Sequence, residues 1–322
     1  LAIIATFGLV ASASAVKVND NLSINGFIDG SYQLTDNSGA TDDTQSLGLD
    51  EVEINFNLNV GNVSGSIQID NNNERAYTSG FTAGAASAIT DDNNTSNDTD
   101  SSPSSATNRT QNDLDIEQAF FTYNVNDSVS VTFGRYGSAL GFEREDPAGL
   151  YTFSRAYNGG FNLGDADSRV RDGISIAYAA DSFSLAASIE EAAGTDLETE
   201  DLNLELSFTF SGIEGLNIGG GFFFDNQENA ADETDILNLH VSKQVGKLLL
   251  AAEYIEASSD GGDNDAYLLL ADYDVNDKLG VAVRFSQNEQ GDLADYEKFT
   301  IAPNYAITDS LGAILEYSDV DN

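Results

Sequence analysis

Leu202-Asn203-Leu204-Glu205-Leu206-Ser207-Phe208-Thr209-Phe210 alternates apolar with polar residues without a break. Successive side chains of a strand point to opposite faces, so this stretch has one greasy face and one wet one. The same period of two runs through Leu22/Ile24/Ile28/Tyr32, Val52/Ile54/Phe56/Leu58/Val60, Leu216/Ile218/Phe222/Phe224 and Leu279/Val281/Val283/Phe285. No segment shows the 3.6-residue period of an amphipathic helix. The pattern predicts strands over 22–34, 47–60, 63–70, 113–124, 129–136, 169–179, 182–190, 201–210, 216–225, 235–244, 248–256, 266–274, 278–286, 296–305 and 311–318. Short turns near 61, 126, 181, 213, 246, 276 and 308 alternate with longer polar loops, which is the rhythm of an up-and-down chain of hairpins.

Three of the short turns share a pattern: Tyr123-Asn-Val-Asn-Asp-Ser-Val129, Tyr273-Asp-Val-Asn-Asp-Lys-Leu279 and Tyr305-Ala-Ile-Thr-Asp-Ser-Leu311. Asn and Asp suit tight turns because their side chains bond the local backbone. A tyrosine at each strand end puts an amphipathic ring at one level, so Tyr123, Tyr178, Tyr273 and Tyr305 are the expected members of an interfacial aromatic girdle. Short turns on one side, long loops on the other and strands near ten residues describe an outer-membrane barrel. Hydrocarbon tolerates no open sheet edge, so the barrel must close. The fold expected is all-β: a transmembrane antiparallel up-and-down β-barrel of about sixteen strands, with the closing strand expected beyond Asn322.

Charge narrows the function. Fifty-four Asp and Glu against 13 Lys and Arg give a net charge of -41, while the apolar fraction is 41%. Such acidity excludes non-specific nucleic-acid binding and polybasic membrane attachment, and leaves cations as candidate partners. There is no cysteine, hence no disulfide framework and no thiolate chemistry. The single histidine, His240, falls on the expected lumen face with no Ser or Asp partner marked for it, so neither a catalytic residue nor a cofactor or metal site is expected.

The amino end reads as an export signal over residues 1–15, with an apolar run from Leu1 to Val10 and then Ala11-Ser12-Ala13-Ser14-Ala15 as the small-residue cleavage pattern. Residues 16–322 are expected to form one barrel domain. The loops near 71–112 and 137–168 are expected to be extracellular, and the former is a low-complexity run of Asp, Asn, Ser and Thr.

On the parity opposite the apolar face stand Asp29, Glu51, Glu53, Glu205, Glu253, Asp272, Arg284, Lys298 and Glu316, the expected pore lining. In the 137–168 loop and its flanks, Arg135, Arg144, Arg155, Arg169 and Arg171 are five of the 13 basic residues, set beside Glu143, Glu145 and Asp146. One reading folds this loop inward as a constriction with a transverse field; the other makes these residues ordinary salt bridges pinning a long loop. Arg135 shares parity with lipid-facing Val131 and Phe133, so it fits only at a strand end or past a bulge at Gly134.

Ile116-Glu-Gln-Ala-Phe-Phe-Thr-Tyr123, Val131-Thr-Phe-Gly-Arg-Tyr-Gly-Ser-Ala-Leu-Gly-Phe-Glu143 and Tyr151-Thr-Phe-Ser-Arg155 resemble the OmpL-like outer-membrane β-barrel porin family. The resemblance covers about 40 residues and implies a passive pore in the cell outer membrane of a Gram-negative bacterium, with outer-membrane lipid and small hydrophilic solutes or ions as partners and no catalytic residue. Lumen acidity implies a preference for cations, and a homotrimer is a further expectation for such barrels. The competing reading is a secreted or surface-attached acidic all-β adhesin or surface-layer protein. That alternative calls for separate sandwich domains of about 100 residues, whereas the hairpin rhythm runs unbroken from Leu114 to Tyr317.

Overall fold

The computed structural model describes residues 2–37, 43–72, 115–143, 150–157, 161, 163, 170–191, 202–226, 233–259, 262–289 and 295–321. Sixteen strands form one closed antiparallel barrel: β1 (Ala2–Lys17), β2 (Leu22–Asn37), β3 (Thr44–Val60), β4 (Val63–Asn72), β5 (Asp115–Asn124), β6 (Val129–Gly137), β7 (Val170–Ala179), β8 (Phe183–Glu191), β9 (Leu202–Ile213), β10 (Leu216–Phe224), β11 (Thr234–Val245), β12 (Leu248–Ser259), β13 (Gly262–Asp274), β14 (Leu279–Asn288), β15 (Tyr296–Thr308) and β16 (Leu311–Asp321). Each strand pairs with its neighbours in the chain, and β1 pairs with β16 to close the ring. The fifteen expected strands are all present, within a few residues at their ends.

The closing position differs from expectation. The sequence pattern puts the sixteenth strand beyond Asn322, but in the structure Ala2–Lys17, which includes the expected export signal, lies between β2 and β16. The physical reason is length and parity. A ten-residue apolar run suits a strand crossing of about 9–11 residues as well as a signal core, and Phe7 and Leu9 point outward while Thr6 is buried inside. Its turn also matches the others. Asn19 Oδ1 accepts the amides of Asn21 and Leu22 at 2.8 and 3.0 Å, as Asn126 does for Ser128 and Val129 and Asn276 for Lys278 and Leu279. Thr308 Oγ1 accepts the Ser310 amide at the equivalent turn.

Outside, the barrel presents the apolar parity read from sequence: Ile54, Leu58, Phe121, Phe133, Ile176, Leu239, Leu269 and Phe285 are among its exposed residues. Tyr123, Tyr178, Tyr273 and Tyr305 are exposed at the short-turn end, each between 44 and 48% accessible. Inside, the two halves of the wall differ. Strands β10 to β15 turn apolar residues inward, including Phe223, Ile236, Ile255, Leu268 and Leu270, and these form a buried cluster with Leu140, Ala156, Tyr157 and Leu163 of the loop after β6. The core of this protein therefore lies within the barrel, between that loop and one half of the wall.

Candidate functional site

The loop leaves β6 at Gly137 and crosses the inner wall, and side chains of the wall receive it strand by strand. Ser138 Oγ and the Ala139 amide both donate to Glu205 of β9, at 2.6 and 2.8 Å. The Gly141 amide donates to Asn238 Oδ1 of β11 at 3.1 Å, and the Phe142 amide to Glu253 Oε1 of β12 at 2.7 Å. Gly141 has φ of 92°, a conformation that side chains disfavour. Returning, the amides of Phe153 and Ser154 donate to Glu316 Oε2 of β16 at 2.7 and 3.0 Å. A loop buried against a wall must find partners for its backbone N–H groups, and inward carboxylates supply them.

Positive wall groups take the loop's acceptors. Arg284 of β14 pairs with Glu143 and donates to the Arg155 carbonyl at 2.7 Å. Lys298 of β15 donates to Ser154 Oγ and to the Arg155 carbonyl, while Ser286 Oγ donates to the Ala156 carbonyl. The Tyr157 hydroxyl donates to Glu253 Oε2 at 3.1 Å; burial, then the charge of Glu253, holds that phenol well above its usual range and keeps it a donor. Burial together with the charges of Asp272 and Glu143 likewise raises the Tyr151 phenol.

Leu140 is completely buried, and the room for it is built into β10. A Cβ on Gly221 would lie 2.9 Å from the Leu140 side chain and 1.9 Å from the Leu206 carbonyl oxygen, so Gly221 is a notch for the loop. The triplet Gly219-Gly220-Gly221 was the available signal, since glycine inside a strand marks close approach. Asn238, Ser154 and Ser286 were also missed; polar residues at inward positions are too common to single out from sequence.

Asp29, Glu53, Glu205, Glu253, Arg284, Lys298 and Glu316 face the interior, as their parity predicts, but all are 5% accessible or less. The last five are loop anchors rather than freely wetted lining. Glu51 lies opposite Asp29 in the β2/β3 register, and Asp272 is on β13 opposite Ala282. Glu143 and Arg155 belong to the docked loop, and Arg171 donates to the Val170 carbonyl. Arg135 is corrected: it is an outward-facing, half-exposed residue paired with Asp172 at 3.1 Å, because β6 keeps its parity past Gly134 despite a φ of 126° there. Arg144, Glu145, Asp146 and Arg169 lie outside the described residues, as does most of the 71–112 loop.

Residues 140–143 and 154–155, which carry part of the resemblance seen in the sequence, are docking points of this loop. The family model described as "Putative beta-barrel porin-2, OmpL-like" matches residues 21–322. The chain belongs to this family. It is an outer-membrane porin, and the adhesin reading is set aside. No curated protein matches it. Among solved structures, OmpF of Salmonella typhi in complex with daunomycin shares 10% identity over 99% of this chain and 96% of that one, with a TM-score of 0.56. The anion-selective porin from Comamonas acidovorans shares 10% over 100% of both chains, with a TM-score of 0.54. In vitro folded OmpT of Vibrio cholerae, in its trimer form, shares 14% over 99% and 87%, with a TM-score of 0.52. At such identities these likenesses concern the fold.

Proposed function

We propose that this porin passes small hydrophilic solutes and ions by passive diffusion, prefers cations, and has its bore set by the loop after β6, docked through residues 138–143 and 150–157. The observation that carries this is the row of loop amides held by Glu205, Glu253 and Glu316. With one half of the wall covered by the loop, the route is displaced toward the other half, which carries Asp29, Glu51, Glu53 and Asp70. Arg284 and Lys298 are engaged by the loop and so contribute little field to the bore, and the net charge of -41 favours cations throughout. Among the described residues, Arg155 and Arg171 are proposed to oppose this locally. A planar bilayer holding the refolded full chain across a KCl gradient tests it: a cation-selective reversal potential is expected, and anion selectivity would transfer the filter to those arginines.

Two further properties belong to the same reading. A homotrimer is proposed, supported by the trimer form of the Vibrio cholerae relative, and unheated electrophoresis of membrane extracts should show a species three times the chain mass. For residues 1–15, export cleavage after Ala15 is the rival proposal to the closing strand β1, and it rests on the small-residue pattern alone. N-terminal sequencing of the membrane-inserted protein decides it: Val16 as first residue removes β1 and leaves β2 and β16 to find another partner, whereas an intact amino end keeps the closure through β1.

A further inference from the structure

Hydroxyl side chains form a row across four adjacent strands of the inner wall, and a carboxylate continues it on a fifth. Thr122 of β5 stands opposite Thr132 of β6, Thr132 opposite Ser175 of β7, Ser175 opposite Ser188 of β8, and Ser188 opposite Glu205 of β9. Adjacent members are about 4.8 Å apart, the spacing of neighbouring strands. Against this row lies a cavity of about 190 Å³, lined by Thr132, Tyr136, Ser175, Ser188, Glu205 and Ser207 and bordered by Ala139 at the root of the docked loop.

The chemistry of the row is specific. Among the described residues no Lys or Arg lines the cavity, so it holds no positive charge for an anion, while Glu205 repels one. A hydroxyl has one hydrogen and two lone pairs. Ser188 gives its hydrogen to Glu190 Oε1 at 2.7 Å, and Thr122 and Thr132 share one between them at 2.8 Å. Glu205 only accepts. Ser188 and Glu205 therefore face the cavity as acceptors, the hydroxyls of Tyr136, Ser175 and Ser207 can donate as well as accept, and the small faces of Ala139 and Ala186 add an apolar patch. A solute that brings several O–H donors on a short carbon frame complements both features. The volume lies below the range of about 300 Å³ upward usual for drug-sized ligands, which sets the size at that of a small polyol.

We propose that this cavity is a subsite for small neutral polyols, beside the constriction and bordered by the loop root. The proposal rests on the porin reading and names a solute class for it. Xylitol flux into proteoliposomes holding the full chain is the test, with glycine betaine as a neutral, hydroxyl-free comparison and KCl conductance measured on the same preparation. Xylitol flux should saturate with concentration while betaine flux stays linear. In the triple variant T132V/S175A/S188A, half-saturation should move at least about tenfold higher, as expected for the loss of two or three hydrogen bonds of about 1 kcal/mol each, with KCl conductance within about twofold of wild type. Tyr136→Phe, which keeps the ring, should weaken saturation in the same direction and serves if the triple variant fails to fold. Linear xylitol flux in the wild type, or unchanged saturation in a folded variant, overturns the subsite while leaving the pore intact. Absence of KCl conductance in the wild type overturns the porin reading and the subsite with it.

Discussion

Glu143 in the inward loop and Arg284 on β14 form an ion pair whose guanidinium is wholly removed from solvent and whose carboxylate is 10% accessible. The same arginine also holds the Arg155 carbonyl, so one wall residue ties the outgoing and returning arms of the loop together.

Removing one partner of a buried pair strands the other charge, at a cost of about 3–5 kcal/mol. Glu143→Gln should therefore loosen the loop while leaving the barrel assembled, since the pair lies inside and no strand pairing depends on it. Single-channel records should show frequent transitions to larger conductance levels, absent in the wild type. A quiet channel of unchanged conductance would show that the pair does not hold the loop.

Arg135 and Asp172 should behave in the opposite way. Both side chains are 48% accessible and face outward, where an ion pair contributes at most about 1 kcal/mol. Arg135→Ala should leave the reversal potential in a KCl gradient unchanged. A shift in selectivity would return Arg135 to the constriction.

Adjacent residues of β4 test which face meets lipid. Ile67 is exposed outward, and Gln68 lies inward opposite Asn55 and Gln118. Ile67→Arg should cost about 2–4 kcal/mol of barrel stability near the bilayer midplane, read by urea unfolding in lipid vesicles. Gln68→Arg should stay close to wild type, since its neighbours inside include Asp70 and Glu53. Equal costs would contradict the assigned parity.

The barrel was legible because its determinants are local. Alternation at Leu202–Phe210 needs no knowledge of neighbours, and the Asn126 and Asn276 turns are made within four residues. The same turn at Asn19 announced a strand before it, but an apolar run ahead of Ala-Ser-Ala fits a signal equally well, and alternation there is blurred by small residues. The site was legible only in part. Parity placed Glu205, Glu253, Arg284, Lys298 and Glu316 inside, yet whether an inward charge meets water or a loop is decided by contacts distant in the chain, from 66 residues for Ala139 with Glu205 to 163 for Phe153 with Glu316. Arg135 misled through composition: five arginines cluster in sequence around the loop, but parity sends this one to the outer face.

The docked loop as the element that sets the bore is the central claim, and single-channel conductance of a variant with residues 138–157 replaced by a short Gly-Ser linker tests it most directly. The account predicts a stable barrel with conductance raised several-fold and weaker solute discrimination. Conductance equal to that of the wild type would contradict it, and would place the constriction elsewhere in the barrel.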